Sequence, residues 1–164
     1  MRPLEVKLLK GCGCLGLFVL VAAVVFPFFA QPGYRVSPTS VCRRHLKQVA
    51  LGLVQYASEF DERMPSRDAW MDALALYVKD ERDLHCPSVP KVAYGYAFDA
   101  ALSHSNIDKL DAPATSVMVY DSVSPSRNAS DPVTSLPSPG RHRGEDMIGY
   151  ADGHVRSKGF GVIR

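Results

Sequence analysis

The residues of this chain that could do chemistry are few and widely spaced. Beyond residue 31 the cysteines are Cys42 and Cys86, and their separation has none of the CxxC spacing that marks a metal clasp or a redox pair. Two cysteines in an exported domain more often form a bridge than stay free, so a Cys42–Cys86 disulfide is expected, with two separately buried thiols as the alternative. Near the C-terminus, His142, Asp152 and His154 could gather where the chain reverses at Asp152-Gly153, with Asp121 ending a neighbouring strand. Such a group would suit Zn²⁺ or Ca²⁺. Each member has a simpler assignment, however: Asp152 to the turn, His142 to a backbone hydrogen bond at a loop end, and His154 to the strand that follows. No metal and no other cofactor is therefore expected. Gly-x-Ser-x-Gly, HExxH and a phosphate-cradling glycine loop are all absent, and no catalytic residue and no enzymatic activity is expected.

The elements that must position these residues begin after an uncharged run. Leu15 to Ala30 carries no charge, and with Gly11 to Cys14 the stretch reaches roughly 20 residues, enough to cross a bilayer. Arg2, Lys7 and Lys10 precede it, which orients the N-terminus to the cytoplasm and the rest of the chain outside. A signal-peptidase cut after Ala30 would place Phe28 where a small residue is needed, so the anchor is expected to be retained. The reading is a cytoplasmic basic segment (1–10), a membrane span (11–31) and an extracytoplasmic domain (32–164). The protein is thus placed in the cytoplasmic membrane as a single-pass protein. The net charge of +2, with no cluster of basic and aromatic residues, argues against nucleic acid as a partner.

Within the domain, Cys42, Leu46, Val49, Leu53, Tyr56 and Phe60 recur at steps of four and three, predicting a helix with one apolar face, capped by Thr39 or Ser40 and begun afresh by Pro38. A shorter helix is expected from about Asp68 to Val78, carrying Trp70 into the core. The runs 92–98 and 116–122 read as strands, rich in aromatic and β-branched residues. MIGYA (147–151) and HVRSKGF (154–160) flank Asp152-Gly153, which predicts a two-residue type I′ hairpin with Gly153 as its demanding position. The Pro- and Ser-containing stretch 122–140 reads as an irregular loop.

Taken together, CRRHLKQVALGLVQY, YGYAFDAAL and RHRGEDMIGYADGHVRS resemble the pilin-like proteins of planctomycetes, whose C-terminal signature is a His, nine residues and Asp-Gly; here these are His142, 143–151 and Asp152-Gly153. The resemblance implies an α+β fold: an N-terminal transmembrane helix, then a long helix packed on a small antiparallel sheet. It implies a structural role in a type II secretion or type IV pilus-like system, with self-assembly or other pilin-like subunits as partners. The alternative is a non-polymerising, membrane-tethered binding module that displays the 122–140 loop. Pilins usually carry a Glu within the apolar stretch, and none stands between Leu15 and Ala30 here.

Overall fold

The computed structural model describes Gly16, residues 19–26 and residues 37–159. The chain divides into two compact units, Met1–Arg35 and Val36–Arg164. In the first, Gly16 and residues 19–26 are helical. Most of the 11–31 span lies outside the described residues, among which no helix is long and apolar enough to cross a membrane.

The second unit begins with helix α1, Pro38–Glu59. Its N-cap is Ser37, two or three positions earlier than the sequence suggests; the Ser37 hydroxyl accepts from the Ser40 amide at 3.2 Å and Pro38 takes the first helical turn, where its missing N–H costs nothing. Cys42, Leu46, Val49, Ala50, Leu53 and Ala57 are completely buried. Tyr56 and Phe60 leave this face and stack on each other at 4.4 Å, with Phe60 half exposed. A short helix α2, Trp70–Ala73, passes directly into a 3-10 turn at Leu74–Leu76, so the expected 68–78 helix is shorter and tighter than its pattern suggests.

Five strands follow: β1 Tyr96–Asp99, β2 Val117–Asp121, β3 Ser130–Asp131, β4 Glu145–Tyr150 and β5 Val155–Gly159. Their order across the sheet is β3-β1-β2-β4-β5. The β1·β2, β2·β4 and β4·β5 pairs are antiparallel, but β1·β3 is parallel. The fold expectation is thereby corrected. The architecture is α+β, yet its sheet is mixed and five-stranded rather than small and antiparallel, and the transmembrane helix is not found among the described residues.

The parallel strand comes from the stretch read as loop. Asp131 Oδ1 takes the amides of Thr134 and Ser135 at 2.5 and 3.2 Å, and the Tyr120 hydroxyl donates to the Asp131 carbonyl, closing a turn that Pro and Ser composition conceals. The sheet therefore has two covered faces. Tyr96, Phe98, Val119 and Met147 face α1, while Ala97, Tyr120 and Ile148 lie under Ala129, Val133 and Leu136.

Two glycines set the geometry. At Gly149 a Cβ would stand 2.9 Å from Val119 Cγ1 and 3.3 Å from Ala50 Cβ, so at this position in β4 the helix packs directly on the strand. Gly149→Val is expected to lower the unfolding free energy by about 1–3 kcal/mol in chemical denaturation, by overpacking. At the hairpin the turn is not type I′. Asp152 does not have positive φ; Gly153 does (φ 81°), the Gly153 amide donates to the Tyr150 carbonyl, and the Tyr150 amide donates to His154. This is a three-residue loop, a type I turn followed by a left-handed glycine, and it adds the bulge that twists β4 against β5.

Candidate functional site

The helix-facing side of the sheet ends in four polar side chains that converge under α1. Residues 119 and 121 of β2 share one face because side chains alternate along a strand, so Asp121 points at the same surface as Val119 and stands opposite Tyr96 in register. Cys42 arrives from the first turns of α1. Cys86 arrives from the connection after the 3-10 turn Glu81–Leu84, held by its amide on the Tyr94 carbonyl at 2.9 Å. His142 arrives from the Gly140–Glu145 loop, which folds back on itself: the Gly144 amide donates to Gly140 and the His142 amide to Glu145. That fold-back needs left-handed backbone at Arg143 and Gly144, and at Gly140 a Cβ would lie 2.6 Å from the Glu145 backbone.

The contacts are buried. Cys42 Sγ lies 3.2 Å from the Tyr96 hydroxyl and donates to Asp121 Oδ1 at 3.4 Å. His142 Nε2 stands 3.3 Å from Asp121 Oδ2 and 3.6 Å from Cys86 Sγ. His142 Nδ1, on the other side of the ring, meets Ser88 Oγ at 3.5 Å. Asp121 Oδ2 accepts the Met147 amide at 2.6 Å, and Arg141 Nη1 approaches Oδ1 at 3.5 Å. Asp121 is wholly buried and Cys42, Cys86 and His142 are nearly so.

Arg141 is itself fixed by carbonyls, donating to Gly95 at 2.8 Å and to Ser122. Gly95 has φ 76°, and its missing side chain leaves room for the guanidinium, 3.1 Å from where a Cβ would be. His45, one turn beyond Cys42, donates from Nδ1 to the His85 carbonyl at 2.9 Å and sets Nε2 3.3 Å from Asp83, so it pins the segment carrying Cys86 against α1. A cleft of about 600 Å³ opens beside Cys86, lined in part by His45, Arg82, His85 and Lys91.

Protonation follows the packing. The Cys86 thiol is pulled down by the neighbouring Cys42 and by His142, against burial. Cys42 moves up, through Cys86 beside it and through burial. Burial alone would lower His142, but Asp121 and Cys86 outweigh it and raise the imidazole to about 9.

A nucleophilic triad does not fit this arrangement. In a triad the histidine uses one nitrogen for the nucleophile and the other for the carboxylate, whereas here Cys86 and Asp121 share Nε2. The arrangement does fit the ligand set of a metal ion. Among the described residues, Cys42, Cys86, Asp121 and His142 are the one group of His, Cys, Asp or Glu whose ligand atoms could hold an ion, all lying within 4.8 Å of one another.

Neither a protein-family model, nor a curated protein, nor a solved structure matches this chain.

The expected site residues are therefore divided between two places. Cys42 and Cys86 do come together, as two free thiols in the structure rather than as the expected bridge. His142 joins them, whereas Asp152 and His154 belong to the hairpin, where Asp152 Oδ1 takes the His154 amide at 3.0 Å and meets its Nδ1 at 2.5 Å. His154 then stacks on Tyr150 with ring centroids 4.5 Å apart. Gly153 serves the turn, and its carbonyl accepts from Lys47 Nζ at 2.6 Å. Asp121 as a full member of the cysteine cluster was not evident from sequence. The signal that could have found it is its place at the end of a strand whose inward face is otherwise apolar.

Proposed function

We propose that this chain is a membrane-tethered, pilin-like structural subunit of a type II secretion or type IV pilus-like system, with the domain from Ser37 onward outside the cytoplasm. The observation that carries the reading is the order of elements along the chain. An uncharged run, Leu15 to Ala30, is followed almost at once by a 22-residue helix that buries one face on a sheet. The resemblance of the helix start and of the His142 to Gly153 signature to pilin-like proteins points the same way. Leu51, beside the hairpin, and Phe60, at the C-cap of α1, stay partly exposed, apolar surface that a neighbouring subunit would cover.

Membrane fractions of the producing cell test this reading. The chain is expected to stay in the pellet after an alkaline wash, and a lysine-directed cross-linker should yield a ladder at multiples of 18.0 kDa. A single 18.0 kDa species in the pellet would instead indicate the tethered, non-polymerising module. That alternative draws on the lack of a carboxylate in the apolar run, but it can no longer draw on a freely displayed 122–140 segment, much of which is laid on the second face of the sheet. A mature N-terminus near Gln31 would remove the anchor from both readings.

A further inference from the structure

We propose that Cys42, Cys86, Asp121 and His142 bind one Zn²⁺ ion in a closed, four-coordinate structural site that ties helix α1, the 84–94 connection, strand β2 and the 140–145 loop to one another.

Geometry is the first support. Ligand bonds of the usual zinc lengths, arranged tetrahedrally, separate neighbouring donor atoms by roughly 3.3–3.8 Å. The cluster has Asp121 Oδ2 and His142 Nε2 at 3.3 Å, Cys42 Sγ and Asp121 Oδ1 at 3.4 Å, and His142 Nε2 and Cys86 Sγ at 3.6 Å. Two of these contacts use different oxygens of Asp121, and all four ligand atoms lie within 4.8 Å of one another, so binding an ion draws the set inward around it. Hydrogen bonding by itself gives a weaker account, since two thiols, a carboxylate and an imidazole are brought out of water at one point.

Donor chemistry is the second. Two sulfurs with an imidazole select a borderline-soft ion and disfavour Ca²⁺ and Mg²⁺, which take oxygen ligands. Two thiolates and a carboxylate around a divalent ion leave one surplus negative charge. Arg141, 3.5 Å from Asp121 and itself largely buried, supplies the compensating positive one.

The surrounding contacts are the third. A metal-bound histidine ordinarily engages its second nitrogen, and His142 Nδ1 faces Ser88 Oγ. The carboxylate is oriented by the Met147 amide, and the Tyr96 hydroxyl is placed to donate to the Cys42 sulfur. Four protein ligands fill a tetrahedral ion's coordination and leave no position for substrate, so the role is structural.

The test uses the full-length chain, solubilised in detergent and purified without chelator. Elemental analysis is expected to find about one zinc per chain, with Cys42 and Cys86 alkylated only after denaturation in EDTA. Replacing zinc by Co²⁺ should give visible d–d bands together with near-ultraviolet thiolate-to-cobalt charge transfer, and both should vanish in Cys86→Ser and in His142→Ala. EDTA should lower the melting temperature of the wild type but not of Cys86→Ser, because an ion that binds only the folded state stabilises it. Should either variant fail to fold, the cobalt spectrum of the wild type decides alone. A metal-free chain whose Cys42 and Cys86 peptides are found joined and unreactive to alkylation after denaturation holds a disulfide, and the proposal falls. It falls equally if both thiols are reduced yet cobalt binds without charge transfer, or does not bind.

Discussion

Asp121→Ala is expected to lower the unfolding free energy by about 3–5 kcal/mol when measured by chemical denaturation in the presence of chelator. The carboxylate is completely buried and is met by four groups: the Cys42 thiol, the Arg141 guanidinium, the His142 imidazole and the Met147 amide. Removing it leaves the Met147 amide without an acceptor and sets the Arg141 charge beside an uncompensated cluster. An unpaired buried charge costs far more than the net worth of the pair it came from, which is why truncation of one partner has so large an effect. Asp121→Asn separates the contributions. It keeps an acceptor for Met147 and the shape of the side chain but removes the charge, so it should recover only part of the loss. A loss below 1 kcal/mol for Asp121→Ala would show that the cluster is not a keystone of the fold.

Trp70→Ala should be comparably damaging, at about 3–5 kcal/mol in the same measurement. Trp70 is fully buried and packs on Phe98 with ring centroids 6.0 Å apart. Its indole N–H donates to the Ala129 carbonyl at 3.0 Å, and that same carbonyl accepts the Phe98 amide at 3.0 Å. One oxygen thus joins α2, β1 and the approach to β3. Truncation removes a large volume from the core and loosens the one parallel strand pair. Trp70→Phe is the control: it retains most of the packing and loses the hydrogen bond, an effect of about 1 kcal/mol. If alanine and phenylalanine proved equally mild, the indole would not be the link between the two faces of the sheet.

The sequence by itself determined those features that depend on local period and local backbone. The four-and-three spacing of Cys42, Leu46, Val49 and Leu53 is the spacing of one helix face, and all four side chains are buried. The demand for Gly153 at the chain reversal is likewise local, since a left-handed φ excludes most side chains whatever surrounds it. Even there the turn type was beyond reach. A two-residue and a three-residue hairpin share the same Asp-Gly, and the register that separates them is settled by pairing with the rest of the sheet.

Tertiary structure alone decided the remainder. Strand β3 has two residues in a Pro- and Ser-rich stretch, too few to show a period, and it exists because β1 offers an open edge and Asp131 closes the turn beside it. Tyr56 and Phe60 continue the helical spacing, but Phe60 stays half exposed and Tyr56 packs on Phe60 and edge-on to Tyr77, partners that period does not name. The candidate site is the clearest case. His142 was legible as a functional candidate and the cysteines as a pair, but sequence joined His142 to Asp152 and His154, its neighbours along the chain. Asp152 is instead spent on its own turn, while the fold-back at Gly140–Glu145 sends His142 to Asp121 and Cys86. Positions 42, 86, 121 and 142 lie on four separate elements, and no spacing rule relates them. They meet only because α1 crosses the sheet where β2 ends, and burial there makes each polar group require the others.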